Sequence, residues 1–527
     1  MIKKLLSKGF WPKAIIGFLI LCQFAGLFLF FLWLSDWSGV SPAYSLFAIV
    51  AVYAFGAVLG LLAYNSTSPS AYRLSWVLVI LLLPGIGGFL YLIFGNKQNS
   101  KRFRLEQSHK LRDSLKTPIE KEQWGEFLAR FGEYQGIANY LYNVHGFAPH
   151  GHSQVTYYPL GDDLFEPLLE ELKKAKHYIF LEFFIIEREG AFFSSMLEIM
   201  KEKASQGVDV RIVYDDVGCL TTLPSDFASE MARYGIKAKP FNRFRPFLDV
   251  RQNNRDHRKM LIIDGHTAFT GGFNLADEYI NRKERFGVWK DNGIMVKGEA
   301  VEAYTYAFLS TYGAIGAKEG GFSSFDKAPY ASSVYADEIG GLPKGEGFVL
   351  PYFDMPFDGE AVGERVYLSL INSAKHRLYM ATPYLLIDEE MQNAICQAAK
   401  SGVDVRLLLP HIPDKKAVFN LTRSYYGPLM EAGVRIYEFT PGFVHEKMFI
   451  VDDSVGSVGT INLDYRSLYL HFENGTLLFG DPSIAKMRQD YLQSIEKSEL
   501  ITKERYAFLE RKNKYYWAIL RIIAPFL

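Results

Sequence analysis

The sequence predicts an α/β fold in which N-terminal transmembrane helices precede two duplicated lobes. Three observations predict it. Long apolar runs crowd the first hundred residues, strands and helices then alternate in an order that occurs twice, and one spaced set of His, Lys, Asp and Asn recurs in each repeat.

A chain of 527 residues exceeds one ordinary core, so several domains are expected. Lys plus Arg and Asp plus Glu are each 58, and this zero net charge lacks the basic excess of a nucleic-acid binder. Cys22, Cys219 and Cys396 lie too far apart in sequence to suggest a disulfide framework or a zinc cluster, so reduced thiols are expected.

Residues 1–95 read as a membrane segment. The runs Ala14 to Leu34, Ala43 to Tyr64 and Trp76 to Phe94 each approach the ~20 residues that cross a bilayer as a helix. Lys3, Lys4, Lys8 and Lys13 precede the first run as they would in a signal peptide, but the run is long, lacks an A-x-A exit and is followed by further spans. The basic N-terminus and the basic stretch Asn96 to Arg104 both favour the cytoplasm, which three full crossings cannot satisfy. "PGIGG" (Pro84 to Gly88) interrupts the third run, which is then either a re-entrant hairpin or a kinked span. The expected location is the cell membrane, multi-pass, with the catalytic part facing the cytoplasm.

A basic linker fills residues 96–150, and the first lobe spans 151–319. There, "HYIFLEFFII" (His177 to Ile186) reads as a buried strand, followed by a helix to Ala204 and a second strand, "GVDVRIVYDD", from Gly207. A connector rich in Gly, Ser and Pro occupies 320–348. The second lobe, 349–527, repeats the plan with "AKHRLYMATPYLLI" (Ala374 to Ile387), a helix to Lys400 and "GVDVRLLLP" from Gly402. Alternating strands and helices predict a largely parallel sheet in each lobe. The apolar tail "KYYWAILRIIAPFL" (Lys514 to Leu527) suits a helix in the membrane interface or a buried packing helix.

The repeated motif carries the chemistry. "HRKMLIIDGHTAFTGGFN" supplies His257, Lys259, Asp264 and Asn274, and "HEKMFIVDDSVGSVGTIN" supplies His445, Lys447, Asp452 and Asn462, at identical spacing. On a strand, His and Lys two residues apart share one face. An imidazole can attack phosphorus or carry a proton, an ammonium neutralises a phosphoryl oxygen, and Gly-rich turns bring Asn and backbone donors to an anion. Two imidazoles divide the work into nucleophile and acid–base, so no metal and no cofactor is expected. A nucleophilic His needs a carboxylate to hold its tautomer, and Asp291 in "WKDNG" and Glu473 in "HFENG" each lie some thirty residues beyond a motif His. His109, His145, His150, His152, His177, His266, His376 and His411 read as surface or loop residues.

With these motifs, together with "LLLPGIGGFLYLIFGN", "GGFNLADEYINR", "ATPYLLIDEE" and "GTINLDYRS", the chain resembles the bacterial cardiolipin synthases of the phospholipase D superfamily over most of its length. The resemblance implies two phospholipase D-like α/β/α sandwich lobes forming one active site at their pseudo-two-fold. It implies a phosphatidyltransferase that joins two phosphatidylglycerol molecules into cardiolipin and releases glycerol through a phosphatidyl-histidine. The order of roles it implies is His257 as nucleophile and His445 as acid and then base. Lys259, Lys447, Asn274 and Asn462 match the family's phosphate ligands, Asp291 and Glu473 its histidine-orienting carboxylates, while Asp264 and Asp452 are structural members of the motif. The implied partners are phosphatidylglycerol, cardiolipin and the bilayer, with no nucleic acid and with an oligomer left open. Two departures stand out: His471 where relatives commonly have Asn, and "WKDNG" where they often have "WRDTH". They leave open another headgroup or acceptor alcohol; the alternatives are hydrolysis by the same residues and an inactive membrane scaffold.

Overall fold

The computed structural model describes residues 42–66, 69–83, 85–95, 120–244, 254–315, 328–356 and 359–526. The first apolar run and the basic stretch at 96–104 lie outside the described residues. Two compact units divide the chain, one reaching Gln98 and a larger one from Asn99 to Pro525.

In the N-terminal unit, the second apolar run forms the helix Pro42–Tyr64. Among the described residues it is the one helix long and apolar enough to cross a bilayer, over Leu46–Tyr64. The third run is not one straight helix. Helix Ser70–Leu82 ends where Gly85 adopts φ +79°, and helical residues resume over Ile86–Leu90 and Tyr91–Gly95. The returning piece lies back on the first, with the Trp76 and Tyr91 ring centroids 5.5 Å apart. Gly87 permits the approach, since a Cβ there would meet the Val79 carbonyl oxygen at 2.2 Å.

The larger unit holds two mixed sheets. The first contains β1 (Gln154–Tyr158), β2 (Tyr178–Phe183), β3 (Asp209–Asp215), β4 (Lys237–Phe241), β5 (Lys259–Ile263), β6 (Thr267–Gly271) and, beyond the short β7 (Val288–Lys290), β8 (Gly293–Lys297). Its order is β1-β8-β6-β5-β2-β3-β4. The second contains β9 (Phe348–Asp354), β10 (Arg377–Ala381), β11 (Asp404–Pro410), β12 (Arg435–Phe439) and, beyond β13 (Gly442–Val444), β14 (Met448–Val451), β15 (Val455–Gly459), β16 (Glu473–Phe479) and β17 (Ser498–Leu500). Its order is β17-β12-β11-β10-β14-β15-β16-β9.

The expectation of largely parallel sheets is corrected here. Within these two sheets only β2-β3-β4 and β10-β11-β12 run parallel, and the motif strands β5 and β14 pair antiparallel on both sides. The reason is local. Asp264-Gly265 and Asp452-Asp453 take positive φ and reverse the chain into β6 and β15, so each motif strand continues into a hairpin rather than a helical crossover.

Strand β2 is buried on both faces, as its unbroken apolar run requires. Ile179, Leu181 and Phe183 join the core beneath helices Gly161–Lys174 and Ala191–Ser205. On the other face Phe180 stacks on Phe308 of helix Val301–Ala314, centroids 4.6 Å apart. That helix and Ser483–Glu496 reach across to the other lobe: Tyr304 hydrogen-bonds Thr476, and Tyr157 donates to Asp490 Oδ2 at 2.6 Å. Asn474 Nδ2 donates to Thr270 Oγ1 at 2.8 Å between the sheets.

The C-terminal helix Lys503–Ile523 is apolar on two sides. Trp517 and Leu520 are buried, while Phe508, Tyr515, Ile519 and Ile522, spaced along one face, are exposed. The buried side fits the packing reading of the tail, and the other side is apolar and exposed among the described residues.

Candidate active site

His257 stands just before β5 and His445 just before β14, and each is held by the opposite lobe. The His257 backbone N–H donates to the Phe472 carbonyl at 2.8 Å, and the His445 N–H to the Lys290 carbonyl at 2.8 Å. The side chains follow the same exchange. His257 Nδ1 lies 2.9 Å from each oxygen of Glu473, and His445 Nδ1 lies 2.7 Å from Asp291 Oδ2. Sequence spacing pointed each carboxylate at the His some thirty residues upstream, and the structure reverses that pairing. Both carboxylates are fully buried, and the Thr460 hydroxyl donates to Glu473 Oε2 at 2.5 Å.

Both imidazoles line one cavity of about 580 Å³, with Asn274 and Asn462. Burial, then the Lys259 ammonium, holds His257 well below the ordinary imidazole range. Burial, then Lys447, brings His445 down to about 4 against the opposing pull of Asp291. Both rings are therefore neutral near pH 7. With Nδ1–H facing a carboxylate, Nε2 keeps its lone pair for phosphorus or for a proton.

The lysines sit directly behind the rings. Lys259 Nζ donates to the His257 carbonyl at 2.8 Å, and Lys447 Nζ donates to the His445 carbonyl and lies 2.9 Å from His445 Nδ1 and 3.2 Å from Nε2. Burial lowers Lys259 to about 7 and Lys447 to about 8. A bound phosphate would raise both by supplying the anion each lacks.

The asparagines differ. Asn274 accepts from the Ile185 N–H at 3.1 Å and donates to the Tyr279 hydroxyl at 2.7 Å. Asn462 Oδ1 is buried with no partner among the described residues. The motif aspartates lie at the far ends of their strands. Asp264 accepts from the backbone of Lys176, His177 and Tyr178, and Asp452 from that of Lys375, His376 and Arg377, at 2.7–2.8 Å. They tie the motif hairpins to the starts of β2 and β10.

Several neighbours of the imidazoles emerge only in the fold, although the sequence marks His471 as a departure. Trp289 and His471 occupy corresponding places in "WKDNG" and "HFENG". The Trp289 ring lies 5.6 Å from His445, and the His471 ring 5.8 Å from His257. Tyr279 adds a further edge contact to His445 at 5.4 Å, and Phe184 does the same for His257 at 5.0 Å. The residues inside each H-x-K point to the other face of the strand and are buried beside an opposite partner: Arg258 faces Glu182 at 3.3 Å, and Glu446, which burial raises to about 7, faces Lys290 at 3.1 Å. A charge between two site residues on a strand was the available signal. Among the other histidines, His145 and His150 are buried rather than superficial, His150 being bridged to Val349.

A metal could draw one ligand atom from each of His257, His471 and Glu473, which lie within 4.8 Å of one another. The adjacent Lys259, however, is a cation already depressed by Lys447, and this field suits an anion better than a dication. Glu364, Asp388 and Glu390 form another such group, none of which lines the cavity.

Comparison with known proteins agrees with this geometry. A family model described as "Cardiolipin synthase, PLD-like domain" matches residues 168–308 and 367–495. Another, "Phospholipase D-nuclease N-terminal", matches 49–96. An uncharacterized protein of Streptococcus mutans serotype c is 40% identical over 476 residues, covering 90% of this chain and 100% of that one. A cardiolipin synthase of Alkalihalophilus pseudofirmus is 33% identical over 477 residues, covering 89% of this chain and 92% of that one. The crystal structure of a phosphatidylserine synthase from Haemophilus influenzae Rd KW20 shares the fold, with a TM-score of 0.54 and 16% identity over 75% of this chain and 100% of that one. Duplicated sheets, paired imidazoles and relatives along nearly the whole length agree: the chain belongs to the cardiolipin synthase family with phospholipase D-like domains.

Proposed function

We propose that this chain is a membrane phosphatidyltransferase that condenses two phosphatidylglycerol molecules into cardiolipin and glycerol. The observation that carries the reading is the pair of neutral, carboxylate-braced imidazoles lining one cavity with a lysine behind each. Relatives named cardiolipin synthase support the lipid assignment.

In this reading His257 Nε2 bonds to phosphorus as the phosphorus–oxygen bond to glycerol breaks. The electron pair leaves with the glycerol oxygen, which takes a proton from His445. His445, which burial and then Lys447 depress in the free enzyme, takes up that proton from solvent as the phosphate binds and places an anion beside it. The hydroxyl of a second phosphatidylglycerol then gives its proton to His445 and bonds to phosphorus, and the P–N bond pair returns to His257. Lys259, Lys447, Asn274 and Asn462 balance the charge on the phosphoryl oxygens. Asp291 and Glu473 orient the rings, and Asp264 and Asp452 hold the motif hairpins.

The helix Pro42–Tyr64 and the exposed apolar face of the C-terminal helix support a membrane location. The reading includes more than one crossing and lobes on the cytoplasmic side, from the basic stretch Asn96 to Arg104. It also keeps the sequence-based order of a membrane segment, linker, lobe, connector and lobe.

The test is a product assay: full-length protein in detergent–lipid micelles with phosphatidylglycerol, read by lipid mass spectrometry. Wild type gives cardiolipin and glycerol, and His257→Ala and His445→Ala each lose at least about 10⁴-fold. Phosphatidic acid as the sole product would make the enzyme a hydrolase and overturn the transferase reading.

A further inference from the structure

We infer that Arg255, Arg466 and His471 form a second phosphate subsite, which holds the phosphodiester of the phospholipid whose hydroxyl resolves the phosphatidyl-histidine. The inference rests on the transferase reading above. The three side chains line the same cavity as His257. Arg466 Nε donates to His471 Nε2 at 3.4 Å, which leaves the ring proton on Nδ1. That Nδ1 is buried without a hydrogen-bond partner among the described residues, in a side chain only 10% exposed. Its nearest carboxylate oxygen, Glu473 Oε1 at 3.7 Å, is engaged by His257.

Arg255 repeats the pattern. Its Nε and Nη2 donate to the carbonyls of Asn254 and Asn242, while Nη1 is buried without a partner among the described residues, in a side chain 3% exposed. Two buried donors thus remain unused in one wall, a costly state that a ligand acceptor would relieve. The charges agree. Burial, then Arg466, Lys259 and Arg255, depresses His471, and Arg466 depresses Arg255 in turn, while Asp215 lies 3.3 Å from Arg255 Nε. The other acids lining the cavity are otherwise occupied: Asp464 accepts from the Ser467 N–H and Asp414 from the Tyr384 hydroxyl.

The reacting phosphate already has Lys259, Lys447 and the asparagines, so this wall serves a different anion. Water brings none, and neither does glycerol. Phosphatidylglycerol brings a phosphodiester three carbons from its attacking hydroxyl, enough to reach past the reacting phosphorus. The matching wall beside His445 has Trp289 in place of His471 and offers no such charge at that position.

The test sets two acceptors against each other in one reaction. Full-length protein in micelles receives phosphatidylglycerol with isotopically labelled glycerol, and the ratio of cardiolipin to labelled phosphatidylglycerol is measured. Both products arise from one intermediate, so the ratio reports the acceptor alone. Arg466→Gln and His471→Ala each lower the ratio about tenfold, the effect of one charge-assisted hydrogen bond, and Arg466→Lys restores part of it. An unchanged ratio in both variants, including one in which both products fall together, overturns the subsite and leaves the transferase standing. Phosphatidic acid alone from wild type overturns both.

Discussion

The two halves of the active site share a backbone plan and differ in what surrounds the imidazole. His257 is neighboured by His471 and Phe184, with Arg466 bonded to His471, whereas His445 is neighboured by Trp289, Tyr279 and Phe443. The residues that fix each ring correspond one to one: a backbone carbonyl and a carboxylate from the opposite lobe. Duplication therefore preserves geometry while the wall residues diverge. One corresponding position, Trp289 in the first lobe and His471 in the second, gives one half an indole and the other an imidazole bonded to Arg466.

The largest break in this comparison comes from the carboxylates. Glu473→Gln and Asp291→Asn each lower turnover about 10³-fold or more with folding intact, because an amide fails to hold the Nδ1–H tautomer. Steady-state kinetics beside far-UV circular dichroism checks this. Crossed pairing adds a sharper demand: Glu473→Gln perturbs the His257 ring signals in NMR and leaves those of His445 unmoved.

Acidity separates the halves on a smaller scale. Lys259 sits at about 7 and Lys447 at about 8, both lowered first by burial, so the ammoniums are lost as pH rises through these values. kcat/KM, which reports the free enzyme, falls on the alkaline side by about tenfold per unit once the first lysine has titrated. The acid limb belongs to the nucleophile His257, which must be neutral and which burial, then Lys259, holds well below the ordinary imidazole range, so the limb lies well below pH 6.5. Lys259→Arg keeps its charge throughout and shifts the alkaline limb toward that of Lys447; a limb that stayed in place would assign it to another group.

The smallest contrast is one of stability. Asp264 and Asp452 each accept three backbone N–H bonds, but those of Asp264 are more buried. Asp264→Ala costs about 3 kcal/mol and Asp452→Ala about 1 kcal/mol in urea unfolding, because exposed N–H groups recover water. Equal losses would mean that the two hairpins are tied equally.

The motif residues were legible because strand alternation alone puts His and Lys on one face, and repetition at fixed spacing marked them. The brace was legible in residue type but not in pairing: sequence distance favours Asp291 for His257, while the folded lobes exchange them. Parallel sheets were inferred from strand–helix alternation, and the Asp-Gly and Asp-Asp turns after β5 and β14 overrode that pattern. Arg258 and Glu446 hid inside the motif as variable positions, although each is buried beside an opposite charge. His471 could be marked as a departure from relatives, yet its environment depends on Arg466 and His257, which only the fold brings beside it.

The crossed brace also dates the moment at which catalysis becomes available during synthesis. His257 lies 216 residues ahead of Glu473, and Asp291 lies 154 ahead of His445. A nascent chain whose first lobe has already emerged carries an imidazole and a lysine without the carboxylate that orients them. Such a chain, beside a bilayer full of phosphodiesters, stays inert until the second lobe is translated and docks.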